Sequence, residues 1–387
     1  MNDSSETSHG SAPDPHASPE AAAARSARQD ADWMLYGANG YTGRLIAREA
    51  VARGQRPLLA GRNRAAIEQL AAELSCPSLV LDLDDAKRLA DAASSVRAVL
   101  HCAGPFSATS APMREACLAG GAHYLDITGE IDVIEAAAAC DERARRAEIV
   151  MMPAVGFDVV PSDCLAATLA AELPTATHLE LAFTGDGGLS PGTAKTAVEG
   201  LSQGGRARID GRLVRVPVAW KTRDVPFERG RRTAVTIPWG DLASAWHTTG
   251  IPNIETYLAM PPAQIARIRR VRWLLPLAGV GLVQRFLKGL IERRVHGPDA
   301  AELADSRSSL WGRVRDDAGR EVEATLETLG GYPLTVATSL ATLDRVLGGG
   351  VPEGFQTPAR ALGKDFILEM PDTQLWIGGR EVSATRV

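Results

Sequence analysis

Three glycines set between an apolar run and a helical pattern constrain this chain more than any other feature. Trp33-Met34-Leu35-Tyr36 is a short apolar segment that stops at Gly37, and the stretch from Arg44 to Arg53 then carries helical spacing. The connection reads Gly37-Ala38-Asn39-Gly40-Tyr41-Thr42-Gly43. In a strand-to-helix turn of this kind one glycine lets the chain turn tightly. Another lets the backbone approach a pyrophosphate, and a third lets helix and strand pack closely. The free amides at the start of the helix, with its dipole, then face an anion. Taken alone the spacing says little, because turns collect glycines for many reasons. The residues C-terminal to the turn decide its meaning.

The pattern repeats along the chain. Pro57-Leu58-Leu59-Ala60 is a second strand signal, and Arg64 to Leu74 is an amphipathic helix with Ile67, Leu70, Ala71 and Leu74 on one side. Ser78 to Leu81, Ala98 to Cys102, His123 to Leu125 and Glu148 to Pro153 read as further strands. Helices are predicted between them from about Asp84 to Ala93, through Met113 to Leu118, and from about Val133 to Ala147. Such alternation implies a parallel sheet covered by helices on both faces. The N-terminal part is therefore α/β, a Rossmann-type doubly wound parallel sheet. In that setting the turn becomes a dinucleotide site built from Gly37, Asn39, Gly40, Tyr41, Thr42 and Gly43.

The end of the second strand selects between nicotinamides. An NAD site places an acidic residue there to bind the ribose hydroxyls. This chain has Ala60-Gly61-Arg62-Asn63-Arg64 instead. Arg62 and Arg64 offer guanidinium groups to a 2′-phosphate, which points to NADP(H). They also suit a solvated helix start. Asp82, closing the third strand, either flanks the adenine or caps the next helix. The fourth strand ends in Ala103-Gly104-Pro105-Phe106, and this loop is expected to line the pyrophosphate and nicotinamide ribose.

Beyond about Leu165 the alternation stops. His178 to Thr184 reads as a strand, Asp210-Gly211 turns a hairpin between Ala207 and Val216, and Leu310 to Leu329 reads as a second hairpin turning at Asp316 to Gly319. Thr335 to Leu347 has the pattern of a late helix. These signals divide the chain into a tail (1–30), an NADP-binding Rossmann domain (31–165), and an α+β domain with a mostly antiparallel sheet (166–334). That second domain would serve the substrate or dimerisation, and residues 335–387 would pack back on the first domain. At 387 residues the chain is too long for one ordinary core, in keeping with this division.

Composition excludes several classes. A net charge of −5 gives no basic excess for nucleic acid. The 5 cysteines lie far apart, without CxxC or interleaved histidine pairs, so neither a metal site nor a disulfide framework is expected. An odd cysteine count fits a reducing, cytoplasmic setting. Residues 1–30 hold too little apolar surface to offset the entropy of ordering and read as a disordered tail.

Several stretches together resemble the saccharopine dehydrogenase-like (saccharopine reductase) family, nearest its trans-acting enoyl reductase-type members. They are GANGYTG (37–43), LAGR (59–62), CAGPF (102–106), YLDITGE (124–130), GFDVVPSD (156–163), GTAKTAVEGL (192–201) and GFQTPARALG (354–363), in order from about residue 33 onward. The resemblance implies a Rossmann domain, NADP(H) use, and a central α+β domain whose substrate varies between members. It implies a lipid or polyketide-like small molecule rather than saccharopine, reduced at a C=C or C=N bond.

Hydride transfer also needs a proton donor. The Tyr-x-x-x-Lys pair of short-chain reductases is absent, since no tyrosine here has a lysine four residues on. Two polar clusters remain at strand ends: Tyr124 and Asp126 with Thr128, and Asp158 with Ser162 and Asp163. Tyr124 and Asp126 are taken as the catalytic candidates. Asp126 could equally hold a loop, and Ser162 could cap a helix. Ser190-Pro191-Gly192-Thr193 has the form of a helix start, and Lys195 beside it suits either a substrate anion or an i,i+4 pair with Glu199. Trp273 to Val283 carries no charge between arginine-rich flanks. It is too short to span a bilayer of about 30 Å but suits shallow insertion among anionic head groups, and burial in the second domain or at a homodimer interface explains it equally well. Three functions stay open: an NADP(H)-dependent oxidoreductase, a non-catalytic NADP-binding sensor or scaffold, and a lipid-associated peripheral membrane protein.

Overall fold

The structure, a computed structural model, describes residues 31–185, 204–273 and 300–382 together with Gly289 and Pro298. The tail, the Ser190 to Glu199 stretch and all of the apolar segment after Trp273 lie outside the described residues. Six short strands open the chain: β1 (Trp33–Tyr36), β2 (Leu58–Gly61), β3 (Ser78–Val80), β4 (Ala98–His101), β5 (His123–Asp126) and β6 (Val150–Met152). They pair in parallel in the order β6-β5-β4-β1-β2-β3, with Gly354–Phe355 added outside β6. β1, β2 and β4 are buried along their whole length, as strands covered on both faces must be. That burial explains the uninterrupted apolar runs in their sequences.

Between the strands run α1 (Tyr41–Ala52), α2 (Arg64–Leu74), α3 (Ala86–Ala93), α4 (Phe106–Gly120), α5 (Ile131–Ala138) and α6 (Asp141–Arg146), followed by α7 (Val160–Glu172). Two differ from the sequence expectation. The single helix predicted over 133–147 is broken at Ala139 and Cys140, and α4 begins well before Met113. The early start has a physical reason: the Glu130 carboxylate accepts the first free amides of α4, so the helix is capped by a residue distant in sequence. Pro112 sits inside this helix. The chain changes its direction of strand addition between β1 and β4, which opens the crevice where ligands bind in doubly wound sheets.

The second sheet has 10 strands and is mixed. Its strands are β7 (His178–Gly185), β8 (Gly205–Ile209), β9 (Arg212–Val216), β10 (Thr222–Phe227), β11 (Gly230–Thr236), β12 (Asn253–Ala259), β13 (Arg307–Arg315) and β14 (Glu321–Leu329). β15 is the Gly354–Phe355 strand of the first sheet, while β16 (Gln374–Ile377) and β17 (Arg380–Val382) return to the second. Pairing is antiparallel except where β7 lies parallel to β12. Asp210 and Gly211 turn the β8–β9 hairpin, both at positive φ. Three regions of this sheet, β10–β11, β12 and β16–β17, lie outside the strands read from sequence.

Helices α8 (Asp241–Thr249), α9 (Pro262–Val271), α10 (Ala300–Asp305), α11 (Gly331–Leu347) and α12 (Pro358–Leu362) complete the described chain. Leu179, Leu181, Leu310, Val314 and Leu326 of the second sheet share one buried cluster with Leu165 and Leu169 of α7. Leu340, Leu343 and Val346 of α11 pack with Ile46, Ala47 and Ala50 of α1 in another. Each such fully buried aliphatic side chain is worth about 1.5–3 kcal/mol of transfer free energy. α7 thereby packs against both sheets, and Phe157 in the turn before it meets Phe183 of β7.

Candidate functional site

The glycine turn is built by contact distances rather than by composition. Gly37 has φ of +82°, and a Cβ there would lie 2.8 Å from the Ala103 nitrogen. A Cβ on Gly43 would lie 2.3 Å from the Gly37 oxygen. The first position thus brings the β1 turn against the loop after β4, and the second packs α1 onto the turn. Gly40 is the N-cap of α1, where no side chain caps the helix and no acidic residue sits in the first turn. A helix start of this composition suits an anion. Asn39 lies against Gly61, where a Cβ would be 2.9 Å from Asn39 Oδ1. Tyr41 turns outward: its hydroxyl donates to the Pro298 oxygen at 2.6 Å and its ring stands edge-on to Tyr332 at 4.8 Å. Thr42 is half-buried beside it.

Past β2 the two arginines separate in role. Arg64 pairs with Glu68 at 2.9 Å, an exposed pair along α2, and Asn63 caps that helix through the Ala66 amide. Arg62 is exposed and makes no ion pair among the described residues. Asp82 is exposed and accepts the Asp84 amide at 3.3 Å, while the cap of α3 is Asp85. The structure therefore keeps Asp82 out of the capping role. Beneath this edge the Tyr36 hydroxyl donates to the Leu81 oxygen, and burial pushes its pKa up to about 12.

Ala103, Gly104 and Pro105 form the turn that meets Gly37. Thr109 Oγ1 donates to the Ala103 oxygen at 2.6 Å and lies 3.1 Å from the Pro105 oxygen. Glu130 accepts the Phe106 amide at 2.8 Å and the Ser107 amide at 2.7 Å.

Tyr124 and Asp126 lie in the core of the first sheet. Both are 0% exposed, on a central strand between β4 and β6. The Tyr124 hydroxyl donates to Asp126 Oδ2 at 2.6 Å, and Asp126 Oδ1 accepts the amides of Thr128 at 3.0 Å and Ala154 at 2.8 Å. Burial raises the Asp126 pKa and holds the Tyr124 phenol well above its ordinary range. With every donor used internally and no exposed surface, the pair braces two loops. The expected catalytic pair is thus placed in the core, bonded to itself and to two loop amides, with no surface of its own exposed.

Asp158 differs. It lies in the turn before α7, partly exposed, and no hydrogen bond or ion pair reaches its carboxyl among the described residues. The group rests on Gly129, where a Cβ would be 2.7 Å from Asp158 Oδ2. Trp239 Nε1 donates to the Asp158 main-chain oxygen at 2.7 Å. Phe183 of β7 stands 4.9 Å from the Trp239 ring and 6.2 Å from that of Phe157, so aromatic rings from both parts of the chain meet next to the Asp158 main chain. Burial, with the charge of Glu130 nearby, pushes its pKa up to about 7. Ser162 donates to the Val159 oxygen inside α7. Asp163 accepts Thr248 Oγ1 at 2.7 Å and the Ala359 amide at 2.9 Å, with its pKa pushed up to about 6 by burial. The second cluster thus divides into one open carboxyl and two internal braces. Glu130, Thr109, Phe183 and Trp239 escape sequence reading, although the every-second-residue run of Asp126, Thr128 and Glu130 is a visible signal.

The fold and its glycine crevice define the class, a doubly wound dinucleotide-binding unit joined to a large mixed sheet. Residues 33–152 match the family model described as Saccharopine dehydrogenase NADP binding domain. It is 30% identical over 150 residues to a saccharopine dehydrogenase-like oxidoreductase of Mus musculus, covering 34% of this chain and 35% of that one. The match therefore spans about a third of that relative's length. A Mycobacterium tuberculosis protein with a provisional trans-acting enoyl reductase name is 26% identical over 418 residues, covering 88% of this chain and 95% of that one. The trans-acting enoyl reductase of Mycobacterium ulcerans is 34% identical over 152 residues, covering 36% and 35%. Among solved structures, the apo saccharopine dehydrogenase (L-Glu forming) of Saccharomyces cerevisiae superposes with a TM-score of 0.61 at 11% identity, over 87% of this chain and 96% of that one. At that identity the likeness is one of fold.

Proposed function

We propose that this protein is an NADP(H)-dependent reductase that acts on a C=C or C=N bond of a lipid or polyketide-like small molecule in the crevice between its two sheets. The observation that carries this reading is the start of α1 behind Gly37 and Gly43, with no side-chain cap and no acid in its first turn, and an exposed Arg62, without an ion pair among the described residues, where an NAD site would place a carboxylate. Bound NADPH would supply the hydride. The chain supplies the rest: α1 amides for the pyrophosphate, Arg62 for the 2′-phosphate, and a proton held at the Asp158 carboxyl. A carboxyl with a pKa of about 7 keeps a useful fraction of its acid form at neutral pH. The enoyl reductase names of the mycobacterial relatives support the C=C alternative.

The test is a fluorescence titration with NADPH and NADH, followed by NADPH oxidation assays with 2-enoyl thioesters. Tighter binding of NADPH is expected, and Arg62→Ala should cost it about tenfold while leaving NADH unchanged. If neither nucleotide binds, the reading fails. Binding without turnover on any acceptor would leave the sensor or scaffold role.

A second reading adds to the first. Trp273 is 74% exposed and follows Val271, 39% exposed, at the end of α9, whose Arg267 and Arg270 are also exposed, as is Arg272 beyond it. This composition suits an anionic membrane surface. No helix among the described residues is long and apolar enough to cross a membrane. Co-sedimentation with phosphatidylglycerol-containing vesicles, reduced by Trp273→Ala, would support peripheral contact, and equal recovery with and without vesicles would remove it.

A further inference from the structure

Four polar side chains leave the core along the segment that runs out of β5, one at every second residue. The Tyr124 hydroxyl donates to Asp126 Oδ2, the Thr128 amide donates to Asp126 Oδ1, and the Glu130 amide donates to Thr128 Oγ1 at 3.0 Å. Glu130 then accepts the Phe106 and Ser107 amides at the start of α4. The line runs without a gap from the interior to the turn beside the glycine loop. On the other side of that turn, Thr109 grips the Ala103 oxygen, and His101 Nε2 lies 3.1 Å from Thr109 Oγ1. Because the Thr109 proton is directed to Ala103, the imidazole must be the donor. His101 is 0% exposed among the rings of Tyr36, Phe106 and Tyr124, and burial lowers its pKa to about 3. It is therefore neutral and held in one tautomer.

The two helix starts at this crevice are treated oppositely. That of α1 has no side-chain cap and no acidic residue, whereas that of α4 is filled by the chain's own Glu130. An anionic phosphate is welcome at the first and repelled at the second. This asymmetry fixes which end of a dinucleotide lies where.

We propose that Glu130 and Thr109 are positioning residues that lock the Ala103–Pro105 turn as the seat of the cofactor's nicotinamide end, with Tyr124, Asp126 and Thr128 anchoring Glu130 from the core. The inference rests on the NADP(H) reading. It separates the cofactor into a phosphate–adenosine half held by α1 and Arg62, and a nicotinamide half held by the locked turn.

Two ligands distinguish these halves: NADPH, and 2′-phospho-ADP-ribose, which lacks the nicotinamide. Their dissociation constants would be measured for the full chain and for Thr109→Val, Thr109→Ser and Glu130→Gln, with Tm recorded for each. Thr109→Val and Glu130→Gln are expected to weaken NADPH about tenfold, the scale of one charge-assisted or well-made hydrogen bond. Binding of 2′-phospho-ADP-ribose should change less than about twofold. Thr109→Ser, which keeps the hydroxyl, should bind NADPH as the parent does. Equal weakening of both ligands would mean a general structural role and overturn the inference, as would no weakening of either. If the unmodified protein binds neither ligand, the NADP(H) reading falls and this inference with it; binding of both without the selective loss overturns the inference alone.

Discussion

Asp126 and Asp158 stand at the same edge of the first sheet, and burial raises the pKa of both, yet they are opposite in kind. Asp126 is sealed and receives a phenol and two amides. Asp158 is partly open, receives nothing on its carboxyl among the described residues, and rests against Gly129. A sealed carboxyl with both oxygens engaged by buried donors is structural, because removing it strands those donors. A carboxyl kept half out of water without donors destabilises its own charged form, and a fold tolerates that where a proton has work to do.

The sharpest break in this comparison is Asp126→Leu. It leaves the Tyr124 hydroxyl and the amides of Thr128 and Ala154 buried without acceptors, at roughly 1–3 kcal/mol each before relaxation. A loss of about 3–5 kcal/mol is expected, read as the urea midpoint shift at constant slope. A loss below about 1 kcal/mol would show that the brace carries little.

Asp158→Asn should do the reverse, sparing the fold and damaging the chemistry. The rate of NADPH oxidation, with an acceptor in hand, should fall about a hundredfold. In the unmodified protein the rate should decline as pH rises through about 7, because the acid form donates the proton. Stability carries its own signature. The folded pKa of about 7 lies above the ordinary 3.8, so this group's contribution is fully present at the lowest pH and is lost between those two values as pH rises. Glu130 and the buried Asp241 are the acids that act on it or feel it. Asp158→Asn should therefore gain on the parent by on the order of 1 kcal/mol or more between pH 4 and 8. A flat difference would mean that Asp158 is more solvated than its setting implies.

The same contrast explains what the sequence could and could not reveal. Strands of the first sheet are buried on both faces, so β1, β2 and β4 appear as continuous apolar runs, and α2 is read over the very residues that form it. The second sheet hides its strands. β10 and β11 carry Arg223, Asp224, Arg231 and Arg232 and turn at Glu228 and Arg229, with no asparagine–glycine signal. β16 and β17 do turn at Gly378-Gly379, both at positive φ, but are too short to stand out. At the site, the glycine turn is local and therefore legible. The role of Glu130 depends on two amides that lie 23 and 24 residues away, and no periodicity encodes that meeting. Tyr124 misleads for a related reason. Its polarity and its place near a strand end are visible, whereas its burial comes from packing on the sheet face with Met113, Ala116 and Cys117 of α4.

Tyr124→Phe is the smallest and most discriminating change. It removes one oxygen from the core, leaves the ring packing intact, and takes a single donor from Asp126 while the Thr128 and Ala154 amides remain. The expected cost is about 1 kcal/mol, the net worth of one buried hydrogen bond. Because the Asp126 carboxyl then loses a donor that favours its charged form, its pKa should rise further and the cost should grow as pH increases. Because Asp126 keeps the Thr128 amide through which it reaches Glu130, the rate of NADPH oxidation should change less than about twofold, and its pH midpoint should stay where Asp158 sets it. A tenfold fall in rate with an unchanged Tm would instead return the phenol to the chemistry, and would require the core around β5 to open during turnover.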